Sequence, residues 1–316
     1  MRTIASLWTV AIAAWAVALL GGCSGNGSSG MLSPSFETTL PAQSGVPNGV
    51  VNDALKKLAV SDLGGGTILS RIEFLNQAYQ FVGTITDGID GATGDWYDNH
   101  GNLYVGNYAV PMVQEYAKGK TVPTFTYSSG LERPYSVATD AGGHVFVADE
   151  YNPSGSGGGV LEYSQGSNTA LAQCLNSLND TGVAVDGRGD VFVSGADGSL
   201  LEYKHGLSSC NAQKLGVTLP GGGGLQIDKS GDLVACAGRV VDVVPRPYKS
   251  ISLAIGGFQS AAHDALSKDQ SLLFVADPGN YDVQVLSFPK GSYLTTLGVS
   301  NGLIDPIGVA VYPATK

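Results

Sequence analysis

The stretch SVATDAGGHVFVADEYNPSGSGGGVLEYSQGS, residues 136–167, decides the architecture of the chain. It divides into three short runs, 136–140, 145–149 and 160–163. Each is rich in β-branched or aromatic residues and each is ended by turn formers, the pattern of strands rather than of a helix. Asp140-Ala-Gly-Gly143 carries Asp at the first and Gly at the fourth position of a type I turn, so the first two runs are predicted to fold back on each other as a tight hairpin.

Outward from this stretch the same phrase recurs. Segments matching its second run are centred on residues 60, 105, 147, 193, 235 and 275. Third runs follow with Phe74, Tyr116, Tyr163, Tyr203, Val243 and Phe288. An interval of 40 to 46 residues with about four strands in each is the period of a β-propeller blade. First runs begin at Asp95, Ser136, Gly182, Gly224, His263 and Gly308. None precedes residue 58 and no second run follows the last, so Gly308-Val-Ala-Val-Tyr312 is predicted to supply the inner strand of the blade formed by residues 58–85. The expected fold is therefore all-β, a six-bladed propeller over residues 55–316 whose C-terminal strand pairs into the first blade and leaves no open edge. Ala138, Ala184, Ala265 and Ala310 fall on one face of the inner strands, opposite Val137, Val183, Leu225 and Val309. Small groups on one blade would thus meet large ones on the next.

Composition agrees. The 316 residues include 45 Gly and only 14 % charged residues, as many short strands joined by turns require, and 43 % hydrophobic residues suffice for a core. The net charge of −10, with 17 scattered Lys and Arg, disfavours nucleic acid, which needs clustered cations. Residues 1–22 read as a secretory signal: Arg2, an apolar run from Leu7 to Leu20, then Leu20-Gly-Gly-Cys23. That last phrase resembles the lipobox of bacterial lipoproteins, which implies an acyl chain on Cys23 and a monomer held by its lipid at the cell envelope, facing the periplasm or exterior. Residues 23–54, rich in Gly, Ser and Pro, read as a flexible tether.

Gly182-Val-Ala-Val-Asp186, Val145-Phe-Val-Ala-Asp149 and Asp277-Pro-Gly-Asn280 resemble NHL repeats of six-bladed propeller proteins. The resemblance implies the fold and leaves function open, because propellers of this kind include metal-dependent lactonases, a lyase, sugar and peptide binders and scaffolds. The expected function is a non-catalytic module that binds a protein, glycan or small molecule. The alternative is a metal-dependent hydrolase, a lactonase, or a lyase at the channel mouth, using a divalent cation such as Ca²⁺ held by Glu, Asn and Asp. No set of metal ligands matches that pattern residue by residue.

Ligand-facing groups in a propeller sit where inner strands begin and where second strands pass to third ones. The candidates at this channel mouth are Asp95, Tyr135, Asp180, Gln226 and His263. Asp95 and His263 break the small-residue rule at the start of the inner strands, and both flank the strand that starts at Gly308. They are expected to face each other across it, with Asp95 holding the imidazole. Asp264 should point to the opposite strand face. Beyond Cys23, an odd count of three cysteines allows at most one internal bridge, and the candidate pair is Cys174 with Cys210. Cys236 reads as a buried thiol.

Overall fold

The computed structural model describes residues 58–67, 69–152 and 157–312. The signal sequence, Cys23 and the tether lie outside the described residues. Six antiparallel sheets are present, and the order of strands in each follows the repeat. The first blade takes its inner strand, Pro306–Val311, from the end of the chain and pairs it with Leu58–Asp62, which pairs in turn with Arg71–Leu75 and then Phe81–Ile85. Ala59 lies opposite Ala310 and Val60 opposite Val309, so the two ends of the fold are joined by strand pairing. The inner strands of blades two to six are Ala92–Tyr97, Pro134–Thr139, Asp180–Val185, Leu225–Ile227 and His263–Leu266. Each packs against the next around the ring, and the last against Pro306–Val311.

The core is divided among the blade interfaces. Ala138 and Val183 share the cluster between blades three and four, Ala184 and Leu225 that between four and five, and Ala265 and Val309 that between six and one. Small side chains on one blade thus receive larger ones from the next, which fills the wedge between two twisted sheets near the axis. Hairpin turns keep the register. Gly101, Gly143, Gly189 and Gly231 donate their N–H to the carbonyls of Asp98, Asp140, Asp186 and Asp228 at 2.9 to 3.3 Å, and all four glycines have φ between 79° and 85°. That left-handed backbone is one L side chains rarely adopt.

Blade five departs from four strands. Leu233–Val244 is one element of 12 residues whose first part pairs with Leu225–Ile227 and whose second part pairs with Leu253–Ala261. Gly238, at φ 71°, marks the change of partner. The expected second and third strands run together here because no loop separates them.

The Asp or Asn that ends several second strands has a structural task. Asp62 accepts the N–H groups of Ile304 and Asp305, Asn107 that of Asp90, Asp149 those of Glu132 and Arg133, and Asp277 those of Gln259 and Ser260. In each case the donors belong to the segment leading into the inner strand of the same blade. The carboxylate or amide replaces ladder partners that the backbone loses where it turns toward the axis.

Candidate functional site

At the face where the inner strands begin, here the upper face, the axis is filled by side chains. Gly308 lies so close to its neighbours that a Cβ there would stand 2.1 Å from the Thr93 carbonyl oxygen and 2.5 Å from Asp95 Oδ1. His263 enters the axis between two other glycines. A Cβ on Gly224 would meet its Nδ1 at 2.8 Å, and one on Gly94, two blades away, would meet its Cε1 at 2.7 Å. The imidazole stacks on Tyr135 with ring centroids 5.3 Å apart and planes 25° from parallel. The ring therefore follows the space that glycines leave open and reaches Tyr135. No hydrogen bond joins it to Asp95: His263 Nε2 and both Asp95 carboxylate oxygens have no protein hydrogen-bond partner. The direct Asp95–His263 hydrogen bond is thus not made; Asp95 packs against Gly308 and His263 against Tyr135.

Burial governs the charge of these groups. It lowers the His263 pKa to about 4 and raises Asp95 well above its ordinary value. Asp264, on the other strand face, has Oδ1 3.5 Å from Cys236 Sγ; burial pushes its carboxyl to about 7 and pushes the Cys236 thiol up. Asp180 is fully buried at the head of its strand, accepts a 2.7 Å hydrogen bond from Asn176 Nδ2, and is likewise raised by burial to about 7. Gln226 is not at this mouth. Its Nε2 donates to the Asp264 carbonyl and its Oε1 accepts the Leu266 N–H, which fixes its amide farther along the axis beside a cavity at the other face. Of the five candidates, Tyr135 and His263 touch and Asp95 lies near them, while Asp180 and Gln226 stand apart. The upper channel is a packed plug of side chains held toward their neutral forms. Among the described residues no three His, Cys, Asp or Glu side chains converge as a metal-binding group.

Above the plug lies a cluster from the ligand-facing loops 107–108, 133–135 and 149–152, whose mutual contact the sequence does not show. The Arg133 guanidinium sits 4.6 Å from the Tyr108 ring centre and 4.5 Å from that of Tyr151, with Glu150 Oε2 at 4.0 Å from Nη1. Tyr108 meets Tyr135 edge-on at 6.4 Å, so the aromatic contacts continue down to His263. Arg133, Tyr108 and Tyr151 are each partly exposed. Asp149 holds the backbone of Arg133 in place, and the Glu150 N–H donates to the Arg133 carbonyl. The signal in the chain is a tyrosine one or two residues after the tie residue, at Tyr108 after Asn107 and at Tyr151 after Asp149. Its meaning depends on loops from two blades meeting. Elsewhere Cys174 and Cys210 are joined by a disulfide between blades three and four, and Cys236 is a buried free thiol.

No protein-family model matches this chain, and no curated protein matches it in sequence. Solved structures do match in shape. A chain of the nidogen/laminin complex superposes with a TM-score of 0.67 at 14 % identity, over 83 % of this chain and 100 % of that one. A functionally unknown protein from Desulfotomaculum acetoxidans DSM 771 gives 0.59 at 14 % identity, over 81 % and 98 %. The WD40 β-propeller domain of Doa1 gives 0.56 at 14 % identity, over 79 % and 82 %. At such identities the likeness concerns the fold alone: the chain is a six-bladed β-propeller.

Proposed function

We propose that this propeller is a non-catalytic binding module that captures a partner protein on its upper face, and that it is a bacterial lipoprotein of the NHL-repeat type held at the cell envelope through Cys23. The observation that carries the reading is the Arg133 guanidinium between Tyr108 and Tyr151 above a plugged axis. Arginine and tyrosine are the residues that dominate protein interfaces, because they bring large contact area and hydrogen-bonding capacity on side chains whose ordering here is already complete. The neighbour from the nidogen/laminin complex, a chain solved in a protein–protein complex, supports the same use of the fold. The metal-dependent hydrolase or lyase alternative calls for Glu, Asn and Asp converging on a cation; among the described residues no three His, Cys, Asp or Glu side chains form such a group.

The test uses the full chain in detergent as bait for envelope proteins, alongside an Arg133→Ala/Tyr151→Ala variant. A discrete protein retained by the parent and lost from a variant of equal melting temperature is expected. Equal capture by both would refute the surface, and a rise in melting temperature with Ca²⁺ or Zn²⁺ would favour the alternative. Lipidation is tested separately by incorporation of labelled palmitate, which Cys23→Ser must abolish.

A further inference from the structure

The opposite end of the channel, where the hairpin turns lie, holds a cavity of about 630 Å³. It is lined by turns of four consecutive blades, two to five, and small-molecule sites in proteins typically measure roughly 300 to 1,000 Å³. Trp96 and Gln226 form its inner end; past them lies a void of about 10 Å³ beside Ala265 and Ala310, room for about one water. Trp96 and Gln226 line both spaces and so form the floor of a cup.

Its surfaces are fixed in advance. The Trp96 Nε1–H donates to Thr139 Oγ1 at 2.9 Å, so the indole is locked, its polar atom is satisfied, and its partly exposed ring offers carbon surface. The Gln226 amide is clamped at both ends by the backbone of blade six. Four aspartates stand in the wall, Asp98, Asp140, Asp186 and Asp228, and in each Oδ1 accepts backbone N–H groups of its own turn. Those bonds immobilise the carboxylates, and the oxygens retain lone pairs for hydroxyl donors. Asp186 also receives Arg246 Nη2 on Oδ2 at 2.6 Å; although burial raises its pKa, the N–H groups of Arg188 and Asp190 and this guanidinium bring it below the ordinary value. The exposed side chains of Arg188 and Lys229 stand at the wall; Lys229 Nζ donates to the Asp269 carbonyl at 3.4 Å and keeps two further N–H donors.

We infer that this cup is a binding site for a neutral saccharide. Four carboxylates face three cations in the wall, so neither a polyanion nor a polycation gains from net charge there. A sugar ring offers one apolar face to an aromatic plane and hydroxyls that both donate and accept, which is the complement of the Trp96 surface and the ring of fixed acceptors and donors. The site is separate from the upper face and stands or falls independently of protein capture there.

The labelled full chain is applied to an array of neutral, sialylated and sulfated glycans, and hits are titrated by calorimetry and by tryptophan fluorescence. A neutral glycan is expected to bind, with affinity reduced about tenfold or more in Arg188→Ala/Lys229→Ala, the change a lost charge-assisted hydrogen bond brings. That variant alters exposed side chains and should keep the parent melting temperature. Trp96→Phe should remove the ligand-dependent fluorescence change, and Arg133→Ala should leave glycan binding intact. No bound glycan, binding confined to anionic glycans, binding indifferent to both cavity variants, or loss of binding with Arg133→Ala would each overturn the assignment, as would quenching of Trp96 by adenosine with no response to any glycan.

Discussion

His263 should make this protein acid-sensitive in a way that a single substitution exposes. Its imidazole is 5 % exposed and stacked on Tyr135, and burial lowers its pKa from 6.5 to about 4. Between those values the unfolded chain binds a proton that the folded chain does not. The stability contribution is complete above pH 6.5 and declines as pH falls, by about 2 kcal/mol at pH 5 and roughly 3 kcal/mol at pH 4. Asp180 and Asp264, raised by burial to about 7, act in the opposite sense. Their stabilising effect is complete below their unfolded pKa and is lost as pH rises through 7, so the parent's pH profile alone mixes the signals. His263→Gln keeps a planar polar group of similar size that does not titrate, and the difference between parent and variant cancels the carboxyl contributions. Guanidinium unfolding midpoints followed by circular dichroism at pH 7.5, 6.5, 5.5 and 5.0 give that difference. The parent should lose about 2 kcal/mol relative to His263→Gln over this range. A gap constant to within about 0.5 kcal/mol would show that the imidazole is not excluded from protons by the fold, and the reasoning about the plug would fail.

Three further outcomes follow from the packing. Gly308→Ala places a methyl 2.1 Å from the Thr93 carbonyl and should cost about 1–3 kcal/mol, with faster hydrogen exchange in Leu58–Asp62, the strand it pairs with. Deleting residues 306–316 removes that partner and leaves Leu58–Asp62 as an unpaired edge, so the chain should aggregate on size-exclusion chromatography. Replacing Cys174 and Cys210 with serine opens a link spanning 36 residues and should lower stability by about 2–4 kcal/mol, an effect that reductant should reproduce in the parent but not in the variant.

The blade count, the hairpin turns and the closing strand were legible in the sequence because each is a local pattern repeated. Asp and Gly at fixed spacing make the turn wherever they fall, and an unpaired first run such as residues 308–312 finds the only sheet that lacks one. The aspartates that end second strands, Asp62, Asp149 and Asp277, recur visibly in the sequence. That they serve the backbone emerges only when the segment leading into each inner strand is placed beside them. The direction of the His263 ring was not legible, since it is set by Gly94 and Tyr135 on other blades. Arg133, Tyr108 and Tyr151 stand in loops that the repeat places at the ligand-facing end, but their convergence was not legible, because the guanidinium is caught between two loops that are distant in the chain. The cavity beyond Gln226 leaves no mark in the sequence, because the turn residues lining it have a structural reason to be there.

The upper face as the binding surface is tested most directly by replacing Tyr151 with a photo-activatable amino acid in the full-length protein and irradiating cells that express it. The same probe at Tyr293, 60 % exposed on an outer strand, serves as control. A discrete protein adduct from position 151, absent from position 293 and lost when Arg133→Ala is added, is the predicted result. No adduct at 151, or the same adduct from 293, would contradict it.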